Sequence, residues 1–336
     1  MRVAVTGGTG YVGAHIVRQL LTEGHEVKLL VAPNERERIE GLLAALSELG
    51  TISTLVGDVR SDDVISTLLT DCEAVVHGAG IVGTDDSQAK LMWEINADAS
   101  ERVLTQAVSA GLDPVVLVSS YAVLFPSPDP IITLDSPVAD ARSAYARSKA
   151  HAEQTARRLQ AEGAPVVITY PSSVVGPAFN TAAGVTEQGW GTITSLGYAP
   201  RLQGGMAMID VRDIAEAHAA IVSGGSGKGP RRYLCGGELL EFDAMIDALE
   251  RGSGSKIRRI PLSPSMFRFL GRLVDTIGKV VPMSAGFGRE AAELLTAATP
   301  TDDSVTLGDL NLKWRSPADA IASCGTAAPT GSSPAS

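Results

Sequence analysis

Short β-branched runs that alternate with helical stretches leave few folds open to this chain. Val3-Ala4-Val5, Val27 to Val31, Thr51 to Val56, Ala74 to His77, Val115 to Val118 and Val166 to Tyr170 each read as a strand. Between the first of them lie a helix from Tyr11 to Glu23, ended by Gly24, and a charged helix from about Glu35 to Leu49. The strands are apolar on both faces, so both faces must be covered, which is the condition of a parallel sheet with helices on each side. The expected class is α/β with a doubly wound parallel sheet.

After Pro171 the pattern loosens. Glycines and prolines crowd residues 171 to 210, Asp210 to Val222 reads as helix, and Phe242 to Trp314 reads as mostly helical with a short strand at Lys256 to Pro261. The expected organisation is a sheet domain over 1–178, to which 210–235 returns, and a smaller, mostly helical substrate region from 179–209 and 236–322. Residues 325–336, rich in Ala, Pro, Gly and Ser, have almost nothing to bury and are expected to be a disordered tail. Met266 to Met283 carries Arg268, Arg272, Asp275 and Lys279 at intervals, so it reads as an amphipathic helix and not a membrane span.

Charge narrows the partners. Lys plus Arg is 28 and Asp plus Glu is 38, a net charge of −10, which lacks the basic footprint of a nucleic-acid binder. Cys72, Cys235 and Cys324 are scattered, with neither metal-ligand spacing nor a disulfide framework. A reducing cytoplasm and no metal are the expectations, with a small molecule as the partner.

Gly7-Gly8-Thr9-Gly10-Tyr11-Val12-Gly13 joins the first strand to the first helix. Glycines at Gly7, Gly10 and Gly13 permit a tight turn, a close approach to a pyrophosphate, and packing of helix on sheet. The helix that opens with Tyr11 and Val12 then offers N–H groups and a partial positive charge to phosphates. A dinucleotide cofactor on a Rossmann sheet follows. The tip of the second strand, Val31-Ala32-Pro33-Asn34, has no acid to bind a ribose 2′-hydroxyl, and Arg36 and Arg38 lie just beyond it. The balance is toward NADP, with NAD the alternative. Asp58, before Val59 and after the third strand, either accepts from an adenine amino group or forms a turn.

Ser119 and Ser120 leave a buried strand at its carboxyl end, where ligands of open α/β sheets collect. Twenty-five residues later, Tyr145 and Lys149 stand one helical turn apart on one face. A free phenol holds its proton up to about pH 10, and a neighbouring cation lowers that value. The three residues divide a proton-transfer reaction: Tyr145 moves the proton, Lys149 lowers its pKa and holds a ribose, and Ser120 orients a substrate oxygen.

In order and spacing, Thr6 to Gly13, Gly57-Asp58-Val59, His77 to Gly80, Asn96, Ser119-Ser120, Tyr145-x-x-x-Lys149, Pro171 to Pro177 and Asp210 to Ala215 resemble the extended branch of the short-chain dehydrogenase/reductase superfamily. The likeness spans roughly residues 1 to 320. It implies that Ala79 and Gly80 line the adenosine side, that Asn96 stands near the active centre, and that Pro171 and Ser173 back the nicotinamide. It departs at Val31-Ala32, where reductase-like members carry an arginine and NAD-using epimerases an acid. Trp190 and Met206, in a stretch with few charges, are expected with Ser120 and Tyr121 to contact an apolar substrate. The expected activity is hydride transfer to or from a carbonyl or alcohol. A nucleotide-sugar epimerase or dehydratase, and a silent dinucleotide sensor, are the alternatives. Homodimers are common among the proteins it resembles.

Overall fold

The computed structural model describes residues 1–36, 38–83, 88–140, 143–201, 204–224, 229, 231–263, 266 and 298–324. The amphipathic segment beyond Met266 and the tail at 325–336 lie outside the described residues.

Seven strands form one parallel sheet: β1 (Arg2–Thr6), β2 (Glu26–Val31), β3 (Ile52–Val56), β4 (Ala74–His77), β5 (Val115–Val118), β6 (Val166–Pro171) and, late in the chain, β10 (Arg231–Cys235). Their spatial order is β10-β6-β5-β4-β1-β2-β3, so the order reverses beside β1 and opens a crevice at the strand carboxyl ends. β-branched residues dominate the central strands, where each side chain packs on a helix: β4 and β6 are buried at every position. The covering helices are α1 (Tyr11–Thr22), α2 (Glu40–Ser47), α3 (Asp62–Leu69), α4 (Ala89–Met92), α5 (Ser100–Ser109) and α6 (Ala144–Ala161). A π-helical stretch, Trp93–Ala99, joins α4 to α5.

Beyond Pro171 the chain leaves this sheet. β7 (Ser173–Val175), β9 (Gly205–Asp210) and β11 (Glu238–Glu241) form a second, three-stranded sheet, and β8 (Tyr198–Arg201) pairs with β12 (Arg258–Pro261). Helices α7 (Val185–Leu196), α9 (Phe242–Ser253) and α11 (Pro317–Cys324) pack on these strands, and α10 (Ser304–Asp309) packs on β10. Helix α8 (Val211–Val222) returns to cover α1.

Two expected helices start later than their sequence suggests. Asp210 ends β9, and its side chain caps α8 by accepting from the Arg212 N–H at 2.8 Å. Helix α2 begins at Glu40, because residues before it turn: Glu35 N donates to the Ala32 carbonyl at 2.9 Å and Arg38 N to that of Glu35 at 2.8 Å. Pro33 supplies the φ that such a turn needs.

Candidate active site

The glycine turn is built by exclusion. Gly7 has φ +73°, and a Cβ there would stand 2.5 Å from the backbone of Gly78 and Ala79, the turn after β4. A side chain on Gly13 would overlap the Gly7 carbonyl, so helix and turn close on each other. Gly10 caps α1 without a side-chain partner, and the first-turn N–H groups of Tyr11, Val12 and Gly13 have no intrahelical acceptor. These features fit a dinucleotide pyrophosphate. Such a cofactor supplies or accepts hydride when bound.

The strand tip itself carries no acid. Thr9 Oγ1, inside the glycine turn, donates to Glu35 Oε2 at 2.8 Å. Folding thus brings a carboxylate back over the turn from four residues beyond β2. Arg36 and Arg38 are exposed. Asp58 is engaged by its own turn: Oδ1 accepts from Arg60 N at 2.9 Å and Nε at 3.0 Å, and Oδ2 from Nη2 at 2.6 Å. Arg60 continues to Glu94 Oε2 at 2.6 Å, and its hydrogen bonds hold the Asp58 carboxyl below the usual range. The turn role is therefore visible, and Val59 packs against the core beneath.

Ala79 and Gly80 follow β4. Ala79 N donates to Thr6 Oγ1 at 3.2 Å, and a Cβ on Gly80 would stand 3.1 Å from Asn96 Oδ1 and 3.5 Å from Lys149 Nζ. Asn96 is fully buried in the π-helical stretch, where it accepts from Ile81 N at 2.8 Å and donates to the Ile81 carbonyl and to Ser148 Oγ. His77, below it, lies between Thr6 Oγ1 and Ser100 Oγ, and burial pushes its imidazole down to about 3.

The catalytic candidates lie on two neighbouring elements, α6 and the segment that follows β5. Ser143 caps α6 by accepting from Ala146 N at 3.0 Å, so Tyr145 and Lys149 occupy the first and second turns of that helix. Lys149 is 6% exposed and donates to the Val118 carbonyl at 3.0 Å. Burial draws its ammonium down to about 8, and Glu153 opposes the fall. Helix α6 packs on the 3-10 turn 121–123 that follows Ser120. The two serines differ: Ser119 is buried and donates to Glu153 Oε2, whereas Ser120 is half-buried and accepts from Ala122 N at 3.1 Å.

The remaining sequence candidates occupy other elements of the fold. Tyr121 is 5% exposed, donates to the Thr299 carbonyl at 2.8 Å and accepts from Thr299 N at 3.0 Å, which makes it a strut for the C-terminal segment. Trp190 and Met206 pack on the hydrophobic cluster of the second sheet. Pro171 ends β6, and Ser173 opens β7 beside it. Arg201 of β8 is held by Asp243 Oδ2 at 3.1 Å.

Sequence reasoning missed two acids. Glu153 stands four residues after Lys149, a spacing that marks the same helix face. Glu187, in α7, accepts from Tyr11 Oη at 3.0 Å and from Gly176 N at 3.0 Å, while Tyr11 Oη also reaches the Gly176 carbonyl at 2.7 Å. Nothing local signals that contact.

The fold and the glycine turn define a dinucleotide-binding α/β enzyme. A model of the NAD dependent epimerase/dehydratase family matches residues 3–236, and the chain belongs to that family. It is an NAD(P)-dependent enzyme of the extended short-chain dehydrogenase/reductase type. It is similar to a putative dihydroflavonol 4-reductase of Synechocystis sp., 28% identical over 256 residues, 74% of this chain and 72% of that protein. Sterol demethylase protein B of Methylococcus capsulatus is 25% identical over 320 residues, 93% of each chain. In fold it is similar to a UDP-glucose-4-epimerase of Stenotrophomonas maltophila solved with bound NAD, with a TM-score of 0.75 at 19% identity and 97% of each chain covered. Among the described residues, no helix is long and apolar enough to cross a membrane.

Proposed function

We propose that the protein oxidises or reduces a carbonyl/alcohol pair of a fairly apolar small molecule, with NAD as the preferred dinucleotide. The observation that carries the reading is the buried Lys149 ammonium, fixed on the Val118 carbonyl one helical turn from Tyr145. A cation at that place favours the phenolate, so Tyr145 serves as proton donor to a ketone or acceptor from an alcohol. Ser120, half-buried just past the end of β5, would hold the substrate oxygen for the tyrosine. Gly7, Gly10, Tyr11, Val12 and Gly13 would hold the pyrophosphate, with Ala79 and Gly80 on the adenosine side and Pro171 and Ser173 behind the nicotinamide.

Glu35 supports NAD, since its carboxylate beside Thr9 is suited to a ribose 2′-hydroxyl and repels a 2′-phosphate. An apolar substrate is supported by the Arg201–Asp243 pair, which leaves that cation engaged where a diphosphate would need it. The reductase names of the relatives point the same way.

The test is a screen of carbonyl and alcohol compounds by nicotinamide absorbance with each cofactor. Turnover should appear with NAD at lower concentration than with NADP, and Tyr145→Phe should cost about 100-fold or more in kcat. A Tyr145→Phe protein that keeps most of its turnover sinks the assignment. Turnover of a nucleotide sugar without added cofactor would replace it with an epimerase reading.

A further inference from the structure

Glu153 is fully buried, at 0% exposure. Three donors converge on it. Ser119 Oγ reaches Oε2 at 3.0 Å, while Tyr170 Oη and Arg157 Nε reach Oε1 at 2.5 and 2.8 Å. Each donor adjoins a segment that carries a site residue: Ser119 precedes Ser120 at the end of β5, Tyr170 precedes Pro171 at the end of β6, and Arg157 continues the helix of Tyr145 and Lys149. A carboxylate without access to water is costly even when paired, and a well-packed apolar residue would hold three elements together equally well. The placement of this acid one turn from Lys149 therefore calls for an electrostatic reason.

We propose that Glu153 is a positioning residue of the active site, which ties the ends of β5 and β6 to α6 and keeps the buried Lys149 cationic beside Tyr145. The groups around the pair leave that task to Glu153. Among the described residues, His77 of β4 is neutral, and the π-helical stretch and β5 present the Asn96 amide and the Val118 carbonyl. Arg157 and, beyond Tyr170, Arg232 of β10 add positive charge on the far side of the acid. Glu153 is the anion that acts on Lys149 against its burial.

This inference rests on Tyr145 as the proton-transfer residue, and its test needs no substrate. The tyrosinate absorbance of the wild-type protein minus that of Tyr145→Phe, followed through a pH titration, isolates the Tyr145 phenol. In the wild type this component should ionise below the free-phenol value of about 10. Glu153→Gln should move it up by about half a unit or more, because Lys149 then gives up its proton first. A purely structural role would lower the melting temperature and leave the titration in place. A direct charge effect on Tyr145 would move it down. Either result overturns the proposal.

Arg157→Gln is the complement, since Arg157 reaches solvent and its loss leaves the carboxylate's charge to Lys149. Here the Tyr145 component should move down, and no movement or a rise overturns the proposal, also if Glu153→Gln does not fold. A wild-type component in the ordinary phenol range sinks the reading of Tyr145 and this inference together. A lowered component that neither variant moves sinks this inference alone.

Discussion

Glu153 and Glu187 are both helix carboxylates that accept a tyrosine hydroxyl, and their surroundings differ in one decisive way. Glu153 lies beneath the strand ends with the Arg157 guanidinium against it and both oxygens hydrogen-bonded. Glu187 joins α7 to the glycine turn through Tyr11 and Gly176, with no cation in contact among the described residues, and its Oε2 is buried without a partner. That oxygen occupies the space a side chain on Gly184 would need. Burial accordingly pushes the Glu187 carboxyl up, and its hydrogen bonds from Tyr11 and Gly176 only partly counter this. One acid ties β5 and β6 to α6. The other fastens α7 to the glycine turn and is sensitive to pH.

The largest effect should come from Glu153→Ala. It leaves Ser119, Tyr170 and Arg157 without their acceptor, and should cost about 3 kcal/mol in chemical denaturation, toward the low end for a broken buried pair because Arg157 is partly exposed. A loss no larger than that of Glu187→Ala would break the contrast between the two sites.

The tyrosines sharpen the same contrast. Tyr170→Phe withdraws a hydroxyl from a fully buried acid, and should destabilise by about 2 kcal/mol. Tyr11→Phe, in a half-buried setting, should cost about 1 kcal/mol, and should also weaken dinucleotide binding measured by fluorescence titration. Equal losses for the two would mean that burial, and not the partner set, governs both.

The smallest effect is a slope. Because the folded-state value of Glu187 is raised, the folded chain keeps a proton that the unfolded chain has lost. Its contribution is present below the ordinary carboxylate range and declines as pH rises through the raised value. Glu187→Gln should therefore gain stability relative to wild type as pH rises above the ordinary carboxylate range. The acid limb should be unaffected, since it belongs in part to His77. Its depressed imidazole contributes stability that is present above about 6.5 and lost as pH falls toward about 3. An unchanged Glu187→Gln slope would show that the carboxyl ionises freely in the folded chain.

The strands of the main sheet and the glycine turn are legible in the chain because their causes are local. β-branched runs need cover on both faces, and Gly7 needs φ +73° with Gly78 and Ala79 against it. Lys149 and Tyr145 are legible for the same reason, as a helix fixes their spacing within five residues. The second sheet was hidden by short strands in a glycine-rich stretch, where pairing with distant partners overrides weak local preference. The partner of Tyr121 was not legible, because only the fold brings Thr299 to its hydroxyl across a separation of 178 residues.

What the sequence determined by itself is the doubly wound sheet, the dinucleotide turn and the pairing of a tyrosine with a lysine on one helical face. Tertiary structure alone decided that Glu35 returns to Thr9, that Ser119 is buried on Glu153 while Ser120 stays half-buried, and that Glu153 is fully buried beside a guanidinium while Glu187 is half-buried without a cation in contact among the described residues. The physical reason is that a carboxylate's charge state depends on which distant donors and cations surround it once water is excluded, and sequence spacing carries no record of those neighbours.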